Sequence, residues 1–76
     1  MKGLSITHAA GTLVIEFPSA GTYSIGLRDI SGAVVLARVS HNQARLTVST
    51  ASLPIGMYTL QVEAGGTKTN RLLVVM

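Results

Sequence analysis

Cysteine and tryptophan are missing from this sequence, and aromatic and acidic residues are few: one Phe, two Tyr, three Asp/Glu. Without cysteine, neither a disulfide nor a zinc–thiolate cluster can reinforce the chain. At 76 residues it lies near the lower size at which one core holds a fold, so hydrophobic burial must carry it. The acids are Glu16, Asp29 and Glu63, which supply no carboxylate pair suited to glycosidic chemistry. Long apolar runs are lacking too. The longest, Leu72-Leu73-Val74-Val75-Met76, falls far short of the ~18 residues of a membrane helix. The strands are also shorter than the ~9–11-residue spans of an outer-membrane barrel. Met1-Lys2-Gly3 is not followed by an apolar leader core. As written, the chain is expected to be soluble and without its own export signal. It would then be either cytoplasmic or a piece of a longer protein with Met1 added.

Charge is the last scarcity. The net charge of +3 and pI near 10.0 reflect few acids, because the six cations are scattered along the chain. Nucleic acid is therefore not expected as a partner. What the chain does have is 47% apolar content, arranged in alternation. Residues 53–62 read L-P-I-G-M-Y-T-L-Q-V. A Pro/Gly turn feeds a strand whose Tyr58, Leu60 and Val62 share one face. A second copy, Gly21-Thr22-Tyr23-Ser24-Ile25-Gly26-Leu27, puts Tyr23, Ile25 and Leu27 inward. Both copies read Gly-x-Tyr-polar-aliphatic.

Around these two units, strands are predicted at residues 4–7, 12–17, 22–30, 33–39 and 44–49, within the 53–62 turn-strand, and at 68–75. Breaks fall at 8–11, Pro18-Ser19-Ala20-Gly21, Asp29-Ile30-Ser31-Gly32, 40–43, 50–54 and Ala64-Gly65-Gly66. Turn signals every eight to twelve residues or so, with no helical period, predict an all-β fold: a small antiparallel Ig-like β-sandwich of about seven strands. One domain, residues 1–76, is expected.

No constellation carries catalysis, and neither a cofactor nor a metal site is expected. His8 and His41 are placed in loops without converging metal ligands. Asp29, His41 and a serine lack any nucleophile-elbow motif, and Gly65-Gly66-Thr67-Lys68 lacks phosphate-loop spacing. Tyr23 and Tyr58 are in phase with buried aliphatics and are read as core tyrosines at strand entries, with an exposed sugar-stacking platform as the alternative. Lys68 and Arg71 read as a solvated edge or as a guard against edge pairing. The closing run 72–76 is apolar on both faces. Either it is covered on both sides, or something else reads it by strand addition.

Gly21-x-Tyr23, then Leu27-Arg28-Asp29-Ile30-Ser31-Gly32-Ala33-Val34-Val35, then Leu53-Pro54-x-Gly56-x-Tyr58-x-Leu60-x-Val62, then a basic residue and a final aliphatic run occur in that order. Over residues 12–75 this resembles the type A C-terminal sorting domains of the type IX secretion system. The resemblance implies a β-sandwich address label without enzymatic activity, carried behind an N-terminal cargo domain in a longer secreted precursor. Its implied partners are the type IX translocon and a sortase-like peptidase at the outer membrane. Its implied destination is the medium or the cell surface, reached through the periplasm. Mapped by motif, the sorting residues are Gly21, Tyr23, Asp29, Gly32, Pro54, Gly56, Tyr58, Lys68 and Arg71; the family more often has lysine where Arg71 stands. The alternative is a non-catalytic binding or spacer sandwich, fibronectin-like or carbohydrate-binding, next to a secreted enzyme. In isolation, the apolar last strand is expected to permit homodimers through edge strands.

Overall fold

Two long strands that each turn a corner build this protein. The structure, a computed structural model, describes residues 3–76. Met1 and Lys2, with which the leader reading begins, lie outside the described residues. The strands are β1 (Ser5–Ala9), β2 (Thr12–Arg28), β3 (Val34–Ser49), β4 (Gly56–Ala64) and β5 (Thr67–Val75). All pairings are antiparallel.

The first half of β2 lies between β1 and the end of β3, pairing Ile15 with Ile6 and with Leu46. Its second half lies between the start of β3 and β4, pairing Leu27 with Leu36 and with Leu60. β5 then adds to the far side of β4. The result is a three-strand layer and a four-strand layer joined by the β2–β3 ribbon.

Seven strands were expected, and five are present among the described residues. The difference is the corner. Residues 18–21 and 40–43 look like chain breaks, yet both strands run on through them, with pairing kept only at Gly21–Gln43 and Tyr23–Ser40. The five steps from Glu16 to Gly21 oppose two steps from Arg45 to Gln43. The excess on β2 is a bulge at Pro18, whose missing N–H could not have joined the ladder. Asn42 takes a left-handed conformation on the other strand. Strands that switch layers through such bends are how sandwich corners are made.

The expected alternation holds. Leu13, Ile15, Phe17, Tyr23, Ile25, Leu27, Val48, Tyr58, Leu60, Val62, Leu73 and Val75 form one buried cluster spanning both layers. Burying a side chain of this kind contributes roughly 1.5–3 kcal/mol. The histidines are not in loops: both lie in strands, His8 in β1 and His41 at the β3 corner. A short β1 followed by the tight Ala10-Gly11 turn, rather than a longer loose loop, accounts for His8. Its Nε2 lies 2.7 Å from the buried Thr50 Oγ1. Thr50 N–H donates to the Gly11 carbonyl, which fastens the crossing loop onto the β1–β2 hairpin.

Candidate recognition surface

The two Gly-x-Tyr units fold in the same way. Tyr23 Oη donates to the Ser19 carbonyl at 2.6 Å, and Tyr58 Oη donates to the Pro54 carbonyl at 2.6 Å. In each case the ring is buried at a strand entry, 6% and 5% exposed, and the hydroxyl reaches back four residues. The polar tip is satisfied while the ring fills the core. Ser19 and Pro54 were not singled out as acceptors, although the four-residue offset repeated in both units was the signal for them. Phe17, the remaining aromatic residue, stacks on Tyr23 with centroids 3.8 Å apart and is buried. The sugar-stacking alternative needs an exposed aromatic face, and none of the three rings presents one.

Asp29 and Gly32 form the turn after the first unit. Asp29 Oδ1 accepts from Ser31 Oγ (2.6 Å), Ser31 N–H (2.9 Å) and Ala33 N–H (3.1 Å). Gly32, with φ +89°, sits in the left-handed region this turn requires. The Ser31 hydroxyl foremost, opposed by desolvation and assisted by the backbone N–H groups, holds the Asp29 carboxyl below the ordinary carboxylate range. Arg28 Nη1 donates to the Gly32 carbonyl and closes the turn from the other side.

Pro54, Gly56 and Tyr58 sit together at the entry to β4, where Gly56 pairs with Val75 and Tyr58 with Leu73. Lys68, at the start of β5, pairs with Glu63 and makes a 3.8 Å surface ion pair with it. Such a pair is worth at most about 1 kcal/mol. Arg71 is exposed and makes no ion pair among the described residues. The mapped residues therefore form two groups, one at each tyrosine corner with its following turn. Lys68 and Arg71 stand apart on β5, on opposite faces of the strand.

The closing run is not covered on both sides. β5 is an outermost strand with β4 as its one neighbour. Leu73 and Val75 point into the core, whereas Leu72 is 65% exposed, Val74 45% and Met76 94%. Met57 pairs with Val74 and is half exposed, and Ile55 just before β4 is exposed as well. One apolar surface thus joins the 53–62 turn-strand to the terminal strand. Exposed apolar groups gathered this way mark interaction sites more often than scattered ones do. Among the described residues, no cluster of three His, Cys, Asp or Glu side chains could hold a metal ion.

Comparison with known proteins agrees with this picture. Among solved structures, the chain is similar to a DUF3244 family protein with an immunoglobulin-like β-sandwich fold from Bacteroides vulgatus. The TM-score is 0.88 at 18% identity, covering 96% of this chain and 83% of that one, a likeness of fold alone. No curated protein matches. The family model described as the secretion system C-terminal sorting domain matches residues 9–76. With nearly its whole length inside that match, the chain belongs to the type IX secretion C-terminal sorting domain family.

Proposed function

We propose that this domain is the non-enzymatic C-terminal module of a larger secreted protein, and that it directs this cargo across the outer membrane through the type IX translocon. The observation that carries the reading is the apolar surface shared by Ile55, Met57, Leu72, Val74 and Met76, which the core does not need. The translocon reads a folded surface that includes the 53–62 turn-strand and the 68–76 strand. Gly21, Tyr23, Asp29, Gly32, Pro54, Gly56 and Tyr58 act by shaping that fold, while Lys68 and Arg71 offer exposed cations on the two faces of β5. A sortase-like peptidase then acts on the exported precursor, and the cargo reaches the medium or the cell surface.

The test is location. Residues 1–76 are fused behind a periplasm-directed fluorescent reporter, in a host with a type IX system and in the same host without the translocon. Export to surface or medium is expected in the first host, with periplasmic retention in the second. A fusion ending at Thr69 is also expected to stay in the periplasm. Because that truncation removes the core residues Leu73 and Val75, the translocon-deficient host is the decisive arm. A full fusion that is folded yet remains periplasmic in the competent host overturns the proposal.

A further inference from the structure

The lateral seam between the two layers differs from side to side. On one side β3 runs along both layers, with β2 as its one neighbour. Its free edge carries exposed Arg38 and Arg45 and is bent at Asn42. The bend turns this edge from one layer to the other and keeps a foreign strand from pairing along it. On the other side two separate edges face each other, β1 of the three-strand layer and β5 of the four-strand layer. Between them lies a groove of about 430 Å³. Leu4, Ser5, Ile6 and His8 line it from the β1 side and Arg71, Leu72 and Leu73 from β5, with Leu4, Ile6 and Leu73 packed on the core.

The groove has an identifiable cause in the sequence. On the inward row of β5, Val75 and Leu73 oppose Gly56 and Tyr58, but the residue opposing the fully buried Leu60 is Arg71. A guanidinium cannot take the apolar place without losing its hydration, so Arg71 stays exposed and lines the seam rather than filling it. Beyond Arg71, residues 72–76 have no charged side chain. The chain therefore guards one seam and leaves the other open, apolar and cationic.

From this asymmetry we infer that the β1–β5 groove receives an extended strand of the export machinery, added to the free edge of β5 at residues 71–75. The inference rests on the sorting reading above. The incoming strand alternates. Inward side chains are apolar and settle on Leu4, Ile6 and Leu73, while outward ones extend the apolar face of Leu72 and Val74. Main-chain hydrogen bonds to β5 hold the strand, and alternate side chains select it. No acid lines the groove, and Arg71 has no ion-pair partner among the described residues. The strand thus carries a carboxylate opposite Arg71, where a bidentate pair would fix its register.

The test uses the same reporter fusion with Arg71→Glu, Arg71→Ala, Leu72→Lys and, as the matched control on the guarded seam, Val39→Lys. Arg71→Glu and Leu72→Lys are expected to lower export about tenfold with unchanged melting temperature. Arg71→Ala is expected to give a partial loss, and Val39→Lys to export normally. Amide hydrogen exchange on the fusion bound to solubilised translocon is expected to slow at residues 71–75 and 4–8. Docking of side-chain faces alone would leave the free-edge amides exchanging as before.

Normal export of the folded Arg71→Glu and Leu72→Lys fusions overturns strand addition while leaving the sorting reading intact. Failure of the unmodified fusion removes both. If Arg71 only guards the edge, Arg71→Ala exports normally and self-associates in sedimentation, which assigns the groove to a second copy and overturns the inference.

Discussion

The two Gly-x-Tyr hairpins share one scaffold and differ in what their return strands do. In both, a buried tyrosine bonds back four residues and two aliphatics follow in phase. The second halves of β2 and β4 pair antiparallel, Leu27 with Leu60 and Ile25 with Val62, so the units stand head to tail about the Gly26–Gln61 pair. The first hairpin returns along β3, which bends at Asn42 into the other layer. The second returns along β5, which stays an edge and whose outer face is apolar from Leu72 onward. The shared parts build the core. The part that differs is what the core can do without, and there the proposed recognition lies.

The largest expected effect separates the hairpins. Only Tyr23 has a ring stacked on it, from Phe17 at the corner. Phe17→Ala is expected to cost about 3–5 kcal/mol, against a total of roughly 4–11 kcal/mol for a domain of this size. Denaturant melts should place the variant at or near the unfolding threshold. A loss under about 1 kcal/mol would mean that the corner repacks and does not depend on that ring.

That corner also marks how far the sequence could be read. Alternation placed Leu13, Ile15, Tyr23, Ile25, Leu27, Val48, Tyr58, Leu60 and Val62 on the buried face, because the side-chain period of a strand is a local property. The sandwich followed from turn spacing. The continuity of β2 through Pro18 did not, since it depends on pairing with β3 over twenty residues away. The same reason hid the seam. Nothing near Leu4, Ile6 or Arg71 in the sequence says that they line one groove. The mapped Asp29, Gly32 and tyrosine positions were legible because each makes its bonds within four residues.

An intermediate effect tests whether the scaffold is shared. Tyr23→Phe and Tyr58→Phe each leave one carbonyl, of Ser19 or Pro54, without its donor while keeping the ring. Each is expected to cost about 1 kcal/mol, or a fall in melting temperature of about 4–8 °C. Equal losses would support the equivalence of the corners. A loss confined to one would restrict the repeat to its sequence pattern.

The smallest effect concerns a feature that one hairpin has and the other lacks. The first turn is tied by the Asp29 carboxylate, the second is formed by Gly65-Gly66 with no acid. Because the Asp29 pKa is lowered on folding, the unfolded chain takes up its proton first as pH falls. The stabilisation is therefore complete above the unfolded value of about 3.9 and is lost as pH drops through the lower folded value. Melting temperature measured between about pH 5 and pH 2 should fall more steeply for the native sequence than for Asp29→Asn. The turn is at the surface, so the difference should be small. Identical slopes would mean that Ser31 and the backbone N–H groups bind the neutral side chain as well as the carboxylate, leaving Gly32 and Gly66 to set the two turns in the same way.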